Sequence, residues 1–583
     1  MGATGDGDGW RWAALAAAVW IQAAAGTNFD FPAYSTGLKA ALGASQAGLN
    51  GLAVASDMGK ALGWSSGLAA LHSPLPAVTG AAAAMGLAGY GIQWLFVAGY
   101  LRLHYTTVFV TCLVAGCSIC WFNTACFALC TRAFPSPRRR ALALSLSVSF
   151  NGASAALYAL LASAGPGPPV PSVYLLLNAL VPLVVSLAAL PPSLRYSSPT
   201  ATEDDDDDDT GVFLALHAFA FLTGVYLLVL TPFSSGSAAT ARLLLAGAAV
   251  LLLLPVFAPT VLRACHRNSH TKKKAAETNV ELFREQLLGG DSDDGASQDS
   301  GSRGWTPRKS SRWFRFLEVE GIIGTDQLAT LGEEHTAGRL LRRVDFWLYY
   351  VGYLCGATVG LVYSNNLGQI AESLGRGGDG TTALVGIYSA CSFFGRLLSS
   401  FPDLISSNAK ENRRLARTGW LAAGLAPMPV AFFLLAGGGS SAGVLLVCTA
   451  VVGLSSGFVF AAAVSVTAEL FGVDSVGVNH NILVSNIPLG SLLYGLLAAQ
   501  LYDSGARGGV VSAPSGGGGR LAVVCMGEQC YAGTFRWWGL ITTVGVACSA
   551  ALFLRTRAAY SRFFESRRRR AEKGDVWLDE LFN

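Results

Sequence analysis

About fourteen long apolar segments run along this chain, interrupted by one polar stretch from Arg263 to Arg343, and they constrain the fold more than any other feature. Roughly 20 consecutive apolar residues suffice to cross a bilayer as a helix. Ala77–Val97, Thr106–Cys130, Leu243–Leu262 and Val444–Val466 approach that condition. A soluble domain has no use for so many. Hydrophobic residues make up 52% of the 583 positions and charged residues 13%, about half the share in ordinary soluble domains. The expected class is an all-α polytopic membrane protein whose obligate partner is the lipid bilayer.

The spans read as 11–34, 46–71, 77–100, 106–131, 140–163, 172–191, 211–231 and 240–262. After the polar stretch come 345–365, 382–400, 418–436, 443–467, 476–500 and 534–554. The pattern is six, two, six, with twelve spans as the alternative count. This divides the chain into a six-helix half (1–192), an acidic linker with two extra helices (193–263), a cytoplasmic, partly disordered loop (264–343), a second six-helix half (344–556) and a basic tail (557–583). Six spans on either side of a long cytoplasmic segment is a layout of transporters built from two halves, with a solute site near the bilayer midplane.

Basic residues orient the chain. Arg138, Arg139 and Arg140, then Lys410, Arg413, Arg414 and Arg417, and finally Arg567–Arg570 all fall on one side if the N-terminus is cytoplasmic. The positive-inside rule therefore places both termini in the cytoplasm. The plasma membrane and the vacuolar membrane both suit that topology. The centre of the loop, Gly289–Ser302, has too little apolar surface to fold alone, and the whole loop 264–343 is a candidate site for a cytoplasmic partner. Lys272–Lys274 reads as an anchor to anionic lipid, and Asp204–Asp209 as a solvated linker.

Several function classes drop out. The net charge of +4 lacks the clustered basic face that nucleic-acid binding requires. No G-x-x-x-x-G-K-[ST] loop is present, which argues against a built-in ATP motor. The seven histidines are scattered, no nucleophile–base set stands out, and neither an enzyme activity, a metal nor a cofactor is expected. Cys525 and Cys530 lie in a Gly-rich polar loop and are candidates for a disulfide if that loop faces an oxidising compartment.

Charged groups inside apolar segments are the first candidates for chemistry, because each costs on the order of 2.5–3.5 kcal/mol at the bilayer centre unless a cavity or partner receives it. Asp57 and Lys60, three apart, share a helix face. They read either as a proton- or substrate-binding pair or as a mutually neutralising pair that orients helices. Asn28, Asp30 and Tyr34 form a polar strip on the first span, with Asp30 beside Asp57 as a proton-carrier candidate. Arg396 ends the span 382–400; it reads as a head-group anchor or, with Asp403, as part of a cytoplasmic gate. Asn123, Asn151 and Gln93 read as interhelical hydrogen-bonding groups, and the segment Asn479–Asn486 with His480 as a contributor of cavity polarity.

Trp20–Gln22, Gly26, Tyr34–Ser35, Leu38–Lys39, Asp57, Gly59 and Gly67, continuing through Gly89–Tyr90, Trp94, Asn123 and Phe150–Asn151, resemble the plant nodulin-like family. In the second half, Asp345–Tyr349, Gly360, Asn365–Gln369 and Gly395–Arg396 resemble the same nuclear-fusion-defective-like family. The resemblance implies a major facilitator superfamily fold of two six-helix bundles. It also implies that the first helix of each half lines a central cavity, which makes Tyr353, Asn365 and Gln369 the second-half counterparts of the strip at Asn28. Gly395–Arg396 with Asp403 and Arg413–Arg414 resembles the superfamily's charged loop signature, whereas Leu71–Pro76 in the first half has no such charges. The expected function is secondary active transport of a small solute by alternating access, open to proton coupling. A small organic anion is favoured on account of Lys60 and Arg396. The alternative is a transport-inactive scaffold or sensor acting through the cytoplasmic loop.

Overall fold

The computed structural model describes residues 4–44, 46–167, 170–196, 209–230, 237–259, 261, 328, 330–376, 379–405, 416–439, 441–506, 510–512 and 523–582. The first half comprises α1 (Thr4–Ala25), α2 (Phe31–Leu42), α3 (Gln46–Ala61), α4 (Trp64–His72), α5 (Leu75–Val97), α6 (Tyr105–Ala133), α7 (Pro137–Ala164), α8 (Pro171–Ala188) and the short α9 (Leu190–Arg195). Two linker helices follow, α10 (Thr210–Leu230) and α11 (Ala238–Pro259). The second half runs through α12 (Ala337–Leu340), α13 (Val344–Tyr353), α14 (Val359–Ser373), α15 (Asp379–Leu398), α16 (Phe401–Ile405), α17 (Arg417–Leu425), α18 (Pro427–Gly438), α19 (Ala442–Phe471), α20 (Val476–Val484) and α21 (Asn486–Ala506). It closes with the strands β1 (Val510–Ser512) and β2 (Val523–Cys525) and the long α22 (Gln529–Phe582).

Twelve stretches among the described residues are long and apolar enough to cross a membrane. The count agrees with the lower of the two expected numbers; the other two expected spans, 11–34 and 46–71, fall on the broken helix pairs α1 with α2 and α3 with α4, which are not among the twelve. The breaks have local causes. A 3-10 turn, Thr27–Asp30, separates α1 from α2, and a proline opens the first turn of α2, where no intrahelical N–H bond is lost. At the start of that turn, a Cβ on Gly26 would stand 2.5 Å from the Ser154 side chain of α7, so glycine lets two backbones meet there.

The halves have separate cores. In the first, Trp12 packs on Phe134 and Phe213 with ring centroids 5.4 and 5.2 Å away. In the second, Tyr363, Phe432 and Trp538 cluster, and Asp345 of α13 is tied to Arg555 of α22 by a fully buried ion pair of 2.5 Å. Large apolar side chains on α8, α11 and α18, including Leu187, Leu243 and Leu434, are exposed, as befits surfaces that meet lipid tails. α11 rides on the first half, where its Leu252 carbonyl accepts a 2.7 Å bond from Trp20.

The two halves meet where α7 packs against α15 and α19, α4 against α20, and α3 against α21. At the second, a Cβ on Gly67 would lie 2.5 Å from the Val478 backbone nitrogen, so only a glycine permits the approach. Among the described residues the departure from an all-helical fold is small: β1 and β2 pair antiparallel, Val510 opposite Cys525. The described residues exclude most of the expected cytoplasmic loop (264–327), with Lys272–Lys274 and Gly289–Ser302. They also exclude Asp204–Asp208, Lys410, Arg413 and Arg414, and the side chains of Arg567–Arg570.

Candidate functional site

Between the halves lies a cavity of about 100 Å³. The first half supplies Gln22, Asn28, Lys60, Asn123 and Asn151 as its polar lining; the second supplies Tyr353, Arg396 and His480. Tyr353 is set by a helix irregularity. The five residues that follow it, Leu354–Thr358, form a π-helical turn between α13 and α14, and Thr358 at its end donates a 2.8 Å bond to Asn486 of α21. Such turns recur where a helix must aim a side chain at a site.

Arg396 dominates the electrostatics. α15 is held on α7 by Ser145, whose hydroxyl donates to the Arg396 carbonyl at 2.8 Å, and Gly152 of α7 faces Phe393 of α15. The guanidinium is thereby carried into the cavity and is 5% exposed as a residue. Its Nη1 donates to Asn151 Oδ1 at 3.1 Å and to the Val148 carbonyl at 3.4 Å. Phe29 of the first half and Phe460 of the second flank it, with ring centroids 5.5 and 5.6 Å from Cζ. Its buried Nε has no acceptor, and no carboxylate lies within ion-pair distance among the described residues. A desolvated charge without a counter-ion costs several kcal/mol. The two rings and neutral acceptors offset part of that cost.

Lys60 is the second cation on the wall, but it is matched. Its ammonium donates to Asp57 Oδ1 at 2.7 Å, both side chains being 8% exposed. The other carboxylate oxygen accepts from Ser491 Oγ of α21 at 2.9 Å. Thus the pair neutralises itself and also bridges the halves, while Lys60 alone of the two reaches the cavity. With His480 neutral, the charges sum to +1 (Lys60 and Arg396 +2, Asp57 −1). Gln22, with both amide atoms buried and unpartnered, and Asn151, with a free Nδ2, leave hydrogen-bonding capacity facing the same space.

The sequence candidates divide. Asn28, Lys60, Tyr353 and Arg396 line the cavity, with Asp57 directly behind Lys60. Asp30 and Tyr34 do not line it: they are buried within the first half, where Tyr34 packs on Tyr90 and Asp30 Oδ2 lacks a partner. Asn365 is exposed, and Gln369 accepts a 3.0 Å bond from Tyr531; neither lines the cavity, because they stand about one and two turns further along α14 than Leu361, which does.

Arg396 and Asp403 are not paired with each other. Asp403 instead takes a bidentate pair of 2.8 Å bonds from Arg417, which also bonds Glu469. Tyr560 donates to Glu469 at 2.8 Å, and Arg138 of the first half donates to the Asp403 carbonyl at 2.8 Å. This arginine-rich end is further tied by Asn481 of α20, which donates to Thr124 at 2.9 Å and Ser66 at 3.2 Å across the seam. At the other end, Cys525 and Cys530 are joined by a disulfide beside Tyr502 and Ser373.

Reading the sequence missed Phe29, Phe460 and Gln22 as cavity residues and Arg417 as the partner of Asp403. Apolar rings inside apolar spans carry no distinguishing signal. Gln22 does, since an uncharged polar group in such a run needs a partner or a cavity.

Residues 11–260 match the family model described as Nodulin-like, and residues 330–562 the model described as NFD4, C-terminal domain. Protein NUCLEAR FUSION DEFECTIVE 4 of Arabidopsis thaliana is 48% identical over 564 residues, covering 95% of this chain and 90% of that protein. A shorter likeness, 28% identity over 239 residues, covers 37% of this chain and 39% of a Neurospora crassa protein described as probable transporter mch1. Among solved structures, the human organic anion transporter MFSD10 aligns at 13% identity and a TM-score of 0.48, covering 92% of this chain and 99% of its own.

Proposed function

The chain belongs to the nodulin-like family with an NFD4 C-terminal domain, and we propose that it is a membrane transporter of the major facilitator type that moves a small organic anion by alternating access. The two halves rock about the cavity between them, each contributing part of its lining.

The single observation that carries the anion reading is Arg396: a buried guanidinium on the cavity wall, flanked by rings and amides and lacking a carboxylate among the described residues. An entering anion supplies the missing counter-charge. The fork of the guanidinium suits a carboxylate, and the unpartnered amides of Gln22 and Asn151 suit its oxygens or hydroxyls. On the positive-inside reading, the end carrying Arg138, Asp403 and Arg417 faces the cytoplasm, in the plasma membrane or the vacuolar membrane.

The test is uptake by the purified protein in liposomes, with a panel of labelled small anions and sugars, in parallel with Arg396→Gln. Saturable anion uptake that collapses in the variant, with the protein still folded, supports the reading. Uptake that ignores the substitution removes Arg396 from the binding site. Folded protein that carries nothing across the panel points to a scaffold or sensor working through residues 264–343.

A further inference from the structure

Asp57 is placed to do more than neutralise Lys60. It stands one layer behind the cavity wall, 6% exposed, with each carboxylate oxygen committed to a different task. Oδ1 holds the Lys60 ammonium at 2.7 Å, and Oδ2 accepts from Ser491 of the opposite half at 2.9 Å. One ionisable group therefore controls both a cation at the solute site and a bond across the α3–α21 seam.

The titratable and charged side chains on the elements around it are few. Lys60 is on the same helix, with Cys117 and Cys120 on α6, and the Cys120 thiol bonds the Lys60 carbonyl at 3.5 Å. Tyr353 of α13, Arg396 of α15 and His480 of α20 line the cavity beyond Lys60. α21 carries Tyr494, bonded to Cys355, and α2 carries Tyr34 and Lys39. Among the described side chains of these elements the other carboxylate is Asp345 of α13, which is paired with Arg555.

We infer that Asp57 is the coupling group of the transporter: when its carboxylate takes up a proton, Lys60 is released to the cavity as a second cation, and a solute bearing a second negative charge enters with that proton. This rests on the anion-transport reading above. The step is a plain proton transfer from water to a carboxylate oxygen, with Lys60 keeping its own proton. Before it, the site carries +1 and matches a monoanion. After it, Lys60 and Arg396 give +2 and match a dianion. The same proton weakens the Ser491 bond, since a neutral carboxyl is a poorer acceptor than a carboxylate. Loading and loosening of the α3–α21 seam are thereby linked through one atom pair.

The experiment uses full-length protein in liposomes with the membrane potential clamped, a tenfold proton gradient and labelled small mono- and dicarboxylates. Wild type is expected to accumulate a dicarboxylate up to about tenfold, the limit for one proton per solute. Asp57→Asn is expected to exchange the same solute with an accumulation ratio near one. Should that variant not fold, Asp57→Glu keeps the titrating group and is expected to retain accumulation with a displaced pH profile. Accumulation by Asp57→Asn equal to wild type overturns the inference, as does its loss in His480→Gln instead. Flux that needs Arg396 yet ignores the proton gradient overturns coupling and leaves anion transport standing. Absence of any anion flux overturns both.

Discussion

Asn481 of the second half donates its side-chain amide to Thr124 of the first half at 2.9 Å, in a buried triad completed by Ser66. The bond closes the seam between α4 and α20 at the arginine-rich end. Interhelical bonds of this kind in membranes contribute about 0.6–1.7 kcal/mol. Asn481→Ala should therefore shift the population toward forms open at that end by roughly 3- to 20-fold. Cys120 on the cavity wall reports it: with the other free cysteines replaced, its alkylation by an impermeant reagent from that side should speed up by the same factor. An unchanged rate would show that the seam is held elsewhere.

Arg396→Lys should be far from neutral. Lysine keeps the charge but loses the planar fork and the stacking between Phe29 and Phe460. The expected loss in affinity for an anion is about 1–3 kcal/mol, or roughly 5- to 150-fold in KM. Arg396→Gln should abolish saturable uptake. Equal KM values for the lysine variant and wild type would count against guanidinium recognition.

Asp403→Asn should destabilise the second half by about 1–3 kcal/mol, because Arg417 is left with Glu469 and Asp403 loses two charge-assisted bonds. Glu469→Gln acts on the same arginine, and the double variant leaves the guanidinium with neither carboxylate, so it should lose more than the sum of the singles. Thermal unfolding of the three variants in detergent measures this, and strict additivity would refute the shared network.

Asp345→Asn should destabilise the second half, by up to about 3–5 kcal/mol, since it removes the carboxylate charge paired with buried Arg555. Replacing both partners, as Asp345→Leu with Arg555→Met, should recover most of that loss. A double variant as unstable as the single would mean the pair is valued for geometry rather than charge balance.

Replacing Cys525 and Cys530 with serine should lower stability by up to about 2 kcal/mol, the figure expected for so short a closed loop. The wild type with reductant should melt where the serine variant does. A reductant effect that persists in the variant would place the sensitivity in another cysteine.

The membrane class was legible because apolar length decides it. The pairing of Asp57 with Lys60 was legible from a spacing of three. A sequence shows neither the level at which a cavity opens nor how far a span is turned about its axis, and this explains the misplacements. Arg396 sits late in its span and so reads as a head-group anchor, yet Ser145 and Gly152 pull α15 onto α7 and turn the guanidinium inward. Asn365 and Gln369 fail in the opposite sense. They belong to a helix that borders the cavity, and Asn365 shares a face with Leu361, but the cavity ends at the level of Leu361, one turn short of Asn365 and two short of Gln369. Asp403 was recognisable as a charged-loop residue, but its partner Arg417 lies fourteen positions on, beyond a helix end, where no periodicity connects them.

One cation held between a ring of each half works as a gauge of their separation. With the halves together, Phe29 and Phe460 both shelter Arg396. In the alternating access proposed above, their parting would withdraw one ring and let water hydrate the guanidinium through the same opening. The charge would then be solvated by aromatic faces at one extreme of that cycle and by water at the other, and neither extreme would strand it bare.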